Sequence, residues 1–144
     1  MAAGLGLAFG CGAPSPSSGP PEIRYGLDEC THCRMIIVEP RHAAVARSAS
    51  GEEARFDDLL GVREHLAAAD ETWQVWVHGE DGWIPAAAAW YAHDPEEITP
   101  MGSGLLAFAD RSAAARQVAE AGGEVMTWEQ FLVSSEEPVG SEEL

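Results

Sequence analysis

Between Asp28 and Met35 the chain sets two thiols, an imidazole and a thioether close together, as Cys30-Thr31-His32-Cys33-Arg34-Met35. A CxxC admits three chemistries. A redox pair opens a helix, whose dipole lowers the first thiol's pKa. Here Ile36-Ile37-Val38 follow instead, a strand-like run, so redox catalysis fits poorly, although a passive Cys30–Cys33 disulfide remains open in an oxidising compartment. A structural zinc site needs two further Cys or His ligands at knuckle spacing. There is no second CxxC, and His42, His65, His78 and His93 are scattered singly. The third chemistry uses methionine: thiolate with thioether is a soft donor set, and soft sets select Cu(I). Met35 lies two residues past Cys33 and would share its face in a strand; core packing is the alternative for it. Met101, in the loop Thr99-Pro100-Met101-Gly102-Ser103-Gly104, has little apolar pattern around it. Met126, beside Val125 and Trp128, reads as core. His32 is either a further ligand or an exposed residue.

The elements that must position these groups are legible in outline. Arg34–Val38 is β-branched and apolar and predicts a strand, with His42–Arg47 as its hairpin partner across Glu39-Pro40. Asp57 is placed to cap a helix over Asp58–Ala69, with Leu59, Val62 and Leu66 on one face; Gly61 weakens that helix. Thr72–His78 alternates as a strand, Asp81-Gly82 signals a hairpin turn, and Trp83-Ile84 begins the return. Ala86–Tyr91 fits either a continued strand or a helical turn. Leu105–Ala109 predicts a strand, followed by a helix from the Asp110 cap through Ala121 that Gly122-Gly123 ends. Glu124–Met126 predicts a short strand and Trp128–Val133 a last helical turn. Phe56-Asp57-Asp58-Leu59-Leu60 is echoed by Trp128-Glu129-Gln130-Phe131-Leu132. The pattern therefore predicts an α+β fold of two similar small β-rich halves, strand-strand-helix-strand in type, each presenting a methionine loop.

Composition narrows the partners. Of 144 residues, 46% are apolar, enough for one domain with a core. Twenty-four acidic residues against 8 basic ones, all Arg, leave a net charge of −16. Such a surface repels phosphate backbones, so no nucleic-acid partner is expected. Residues 1–21 combine a short apolar run ending at Cys11 with a Pro/Ser/Gly tether, which resembles a bacterial lipoprotein signal with Cys11 as the acylated residue. The run is too short to span a bilayer, which takes about 20 apolar residues. The folded domain is expected over 22–133, in halves of about 22–70 and 71–133, and 134–144 as an acidic disordered tail.

Taken in order, the Cys-x-x-Cys-x-Met segment, Phe56-Asp57-Asp58, Trp83-Ile84-x-Ala86, Thr99-Pro100-Met101-Gly102-Ser103-Gly104 with Ala107-Phe108, and Gly122-Gly123 before Trp128 resemble the NosL family. The resemblance covers roughly residues 22–133. It implies an extracytoplasmic, lipid-anchored Cu(I) metallochaperone that matures the copper centres of nitrous oxide reductase or a related enzyme. Its partners would be the receiving enzyme or a membrane maturation complex. On the family pattern Cys33 and Met35 match a Cys-Gly-Met core and Met101 the second methionine loop, with Arg34 standing where the family has Gly. The implied site is Cys33 and Met101 around Cu(I), completed by Cys30 or Met35, with His32 nearby. A structural zinc protein and a thiol-disulfide protein are the rival classes. No Ser-His-acid order, phosphate loop or dinucleotide fingerprint is present, so no enzyme activity is expected.

Overall fold

The alternation of Trp73-Gln74-Val75-Trp76-Val77-His78 makes a strand that lies inside a four-stranded antiparallel sheet. The computed structural model describes residues 19–134. The first sheet contains β1 (Ala44–Ser48), β2 (Glu53–Phe56), β3 (Trp73–His78) and β4 (Trp83–Pro85), in the order β2-β1-β3-β4. Helix α1 (Leu59–Ala68) connects β2 to β3. After a 3₁₀ turn at Ala86–Ala88, the second sheet contains β5 (Trp90–His93), β6 (Leu105–Phe108) and β7 (Glu124–Met126), in the order β6-β5-β7. Helix α2 (Arg111–Val118) joins β6 to β7, and α3 (Trp128–Val133) follows.

The α+β expectation of two similar halves is met, and the topology is sharper than the sequence pattern. In each half the first strand is central, the second and third flank it antiparallel, and the helix falls between them: β1-β2-α1-β3 against β5-β6-α2-β7. Two expectations shift. The strand assigned to the start of the second half, β3, hydrogen-bonds along β1 from Ala44↔Val77 to Ser48↔Trp73 and belongs to the first sheet. The echo also maps differently: the counterpart of Phe56-Asp57-Asp58 is Phe108-Ala109-Asp110, since both precede the helix after the second strand. The methionine loops are not counterparts, because Met35 precedes β1 whereas Met101 lies between β5 and β6.

Burial explains how the sheets combine. Tyr91, Leu105, Ala107 and Met126 face the same core as Val45, Phe56, Val62 and Val77 of the first half. Ala92, Leu106 and Phe108, alternating with them, pack on Ala113, Ala114 and Val118 of α2. The second sheet is thus covered on both faces. Met126 is core, as its neighbours predict. Phe131, fully buried, stacks on Tyr91 with ring centroids 5.0 Å apart, and Trp128 lies 5.4 Å from Phe131. The Tyr91 hydroxyl donates to the Ala86 carbonyl at 2.7 Å, which resolves the ambiguous 86–91 stretch into a turn and then a strand.

The segment before β1 differs from expectation. Residues 34–38 form no strand and do not pair with β1; they fold back on 28–30 through one bridge, Glu29↔Ile36. Cys30 N–H donates to Met35 O (2.7 Å) and Ile37 N–H to Asp28 O (2.9 Å). This loop caps β2, an edge strand: Thr31 N–H donates to Arg55 O at 2.7 Å, and Arg55 N–H returns to Thr31 Oγ1 at 3.0 Å. The ordered body also begins before residue 22, since Pro21 is buried and Arg47 donates to the Gly19 carbonyl at 2.8 Å. Cys11 and residues 135–144 lie outside the described residues. No described helix is long and apolar enough to cross a membrane.

Truncating Phe131 to Ala removes the aromatic stack that joins α3 to the second sheet. We expect a loss of about 3–5 kcal/mol, read as a lower urea midpoint with little change in the slope of the transition. A variant as stable as wild type would show that α3 contributes nothing to the core.

Candidate metal centre

Consecutive aspartates organise the site, and each has a separate task. Asp58, not Asp57, is the N-cap of α1: its Oδ1 accepts from Leu60 N–H at 3.0 Å. That carboxylate is fully buried and also binds the methionine loop, taking the Ser103 hydroxyl on Oδ1 (2.5 Å) and the Met101 N–H on Oδ2 (2.8 Å). The loop is rigid in itself. Thr99 Oγ1 accepts from Ser103 N–H (2.8 Å) and Gly104 N–H (3.2 Å), and Asp94 N–H closes its base onto Gly104 O at 2.8 Å. Gly104 sits at φ 69°, and a Cβ there would run into the Asp94 carbonyl, so the closure requires glycine.

With Asp58 occupied by the cap and the loop, Asp57 is left to face the cysteines. It is buried (3% exposed), and the Cys33 thiol donates to it, with Sγ 3.3 Å from Oδ2 and 3.5 Å from Oδ1. Cys30, Cys33 and Asp57 each offer a ligand atom, all within 4.8 Å of one another. Both cysteines are free thiols, Cys30 fully buried in the core and Cys33 partly open to solvent. Backbone N–H groups point at both sulfurs: that of Cys33 lies 3.5 Å from Cys30 Sγ, and that of Met35 is directed at Cys33. The loop geometry depends on Arg34 at φ 68°, the single non-glycine residue with positive φ among the described residues. This left-handed conformation favours glycine, and arginine adopts it at a cost.

The structure sorts the sequence candidates. Cys30 and Cys33 converge with Asp57. Met101 is half-buried, its backbone held by the residue next to Asp57. Met35 is 57% exposed and, with no strand at 34–38, the argument that it shares the face of Cys33 fails. His32 turns to α1, its Nε2 2.7 Å from Glu64 Oε2. Its stem explains Gly61: a Cβ at 61 would lie 3.2 Å from His32 Cβ and 3.3 Å from the Phe56 ring. The sequence pattern reads Asp57 as a helix cap and not as a ligand; the signal it carries is redundancy, since one helix takes one N-cap and the second Asp has no local use.

Burial pushes the Cys33 thiol up to about 11, aided by hydrogen bonding to Cys30 and Asp57, against the opposing pull of the Met35 N–H. A thiol held protonated beside a carboxylate is unlike a redox-active thiolate. The cluster holds a proton that a soft cation can replace.

The NosL family model matches residues 25–135. The crystal structure of the copper chaperone NosL from Shewanella denitrificans aligns with a TM-score of 0.63 at 18% identity, covering 77% of this chain and 96% of that one. At that identity the likeness carries the fold. No curated protein matches the sequence.

Two measurements probe the loop. Arg34→Gly relieves the positive φ but loosens the unfolded chain, so we expect a net gain of up to about 1 kcal/mol. Arg34→Val, β-branched, should lose at least about 1 kcal/mol; equal thermal midpoints for the two variants would remove the strain argument. For Cys33, the folded thiol titrates above its ordinary value of 9.0, so its linked stability is complete below pH 9 and is lost as pH rises through about 11. Alkylation of Cys33 by iodoacetamide, mapped by mass spectrometry, should therefore keep accelerating up to about pH 11; a plateau near 9 would contradict the buried, proton-sharing thiol.

Proposed function

Because this chain belongs to the NosL family, we propose that it carries one Cu(I) ion outside the cytoplasm and passes it on by ligand exchange. The receiver is a copper enzyme or its maturation complex, with nitrous oxide reductase the client that the family resemblance implies. Acylated Cys11 tethers the carrier to a membrane. The observation that supports the metal site is the convergence of Cys30, Cys33 and Asp57 within 4.8 Å, at a corner to which the Met101 loop is tied.

On this reading the two cysteines bind as thiolates, and Met101 supplies a thioether from the second loop. Asp57 holds the Cys33 proton until the ion displaces it. Cu(I) is satisfied by two or three soft ligands, which suits a site that must also release its cargo. Met35, exposed beside the thiols, is available to a transfer intermediate. His32 stays with Glu64.

Asp57 also favours a second reading. Two thiolates, a carboxylate and a water make a four-coordinate Zn²⁺ site. Anaerobic titration with Cu(I) against bicinchoninate, with and without Zn²⁺, separates the two. We expect one Cu(I) per chain, undisturbed by Zn²⁺, and affinity lower by at least about tenfold in Cys33→Ala and in Met101→Ala. Each displaced thiol proton should raise the apparent affinity by about tenfold per pH unit. Wild-type affinity in Met101→Ala would confine the site to the cysteine loop, and displacement of Cu(I) by Zn²⁺ would overturn the copper reading.

A further inference from the structure

Of the seven large apolar side chains exposed among the described residues, five lie on or beside the cysteine loop and the loop that carries Met101. Leu27, Met35, Ile36 and Val38 are 68%, 57%, 44% and 65% exposed, and Ile98, three residues before Met101, is 89% exposed. Ile37 is fully buried and anchors the cysteine loop in the core, whereas Ile36 and Val38 on either side of it are exposed, and Glu29 bridges to Ile36. Buried His42 joins the two loops: its Nε2 lies 3.1 Å from Glu97 Oε1 and its Nδ1 3.8 Å from Glu39 Oε2. Val38 and Ile98 are the chain neighbours of those two glutamates, which brings the two loops to the same end of the molecule.

We propose that this face is the docking surface for a protein whose contact patch is apolar at its centre and ringed by Lys or Arg, and which presents a soft ligand to Cys33. The inference rests on the copper-carrier reading and names the kind of partner that site meets. Charge decides the occupant. Glu29, Glu39 and Glu96 stand exposed around the apolar residues, on a chain of net charge −16. That field repels an anionic bilayer and a second copy of this chain, and attracts a basic rim. The apolar centre gives the contact its dry core. Cys33 is the accessible thiol and Cys30 the buried one, so a partner seated here reaches Cys33 first and excludes water from the exchange.

The test uses two synthetic acceptor peptides with the same Met-x-x-Met centre, one flanked by Leu and Lys, the other by Ser and Glu. Stopped-flow transfer of Cu(I) from the loaded full-length protein should be faster to the Leu/Lys peptide, by on the order of tenfold at low salt. In Ile36→Ser/Val38→Ser the advantage should fall toward the Ser/Glu rate, with Cu(I) affinity and urea midpoint unchanged. Anisotropy of the dansyl-labelled Leu/Lys peptide on metal-free protein reads the surface independently, so failure to load Cu(I) would count against the carrier reading alone. Equal rates for the two peptides, or a double variant that transfers and binds peptide like wild type, overturns the docking surface. A dimer in sedimentation that the double variant dissolves assigns the face to a second copy and overturns it equally.

Discussion

The Asp58 carboxylate is the constraint on which the site depends. A charge without solvent is costly unless donors surround it, and here three do, from the first turn of α1, the Met101 backbone and the Ser103 hydroxyl. Hydrogen bonds to an ionised group are the strong kind, each contributing about 1.5–3 kcal/mol. The bonds from Met101 and Ser103 cannot form unless the β5–β6 loop lies against the start of α1. The same carboxylate therefore caps a helix and fixes a loop from the other half of the molecule.

Its neighbour inherits the consequence. Because Asp58 faces the loop and the cap, Asp57 takes the side on which the cysteine loop closes the edge of β2. The thiols are held by backbone contacts to Arg55 on one side and by the buried Ile37 and Cys30 on the other. One thiol is inside, the other at the rim, and a carboxylate shares the proton of the outer one. The three ligand atoms so gathered lie within 4.8 Å of one another, with the outer thiol partly open to solvent.

The doubled topology shows where the two halves differ. The caps Asp58 and Asp110 occupy equivalent positions, and each binds a backbone N–H of its helix. The residue before the cap is Asp57 in the first half and Ala109 in the second. Before β5 stands only the short 3₁₀ turn, where the first half has its cysteine loop. The second half supplies the methionine loop instead, in a connection that in the first half is the short Ala49–Glu52 turn. Unlike insertions on like frames thus meet at the start of α1.

Local periodicity and turn chemistry determined much by themselves: β3 from its alternation, α1 from its apolar spacing, α2 from its Asp110 cap, and the 81–82 turn. Those signals are carried by neighbours in the chain, and neighbours suffice to read them. Only the tertiary structure decided that 34–38 is a loop braced on β2, that β3 completes the first sheet, that Arg34 takes a left-handed turn, and that Asp57 rather than His32 stands with the thiols. Each of these depends on which distant donor or acceptor satisfies a buried group, as when Met101 finds Asp58 across 43 residues, and no local pattern specifies that choice.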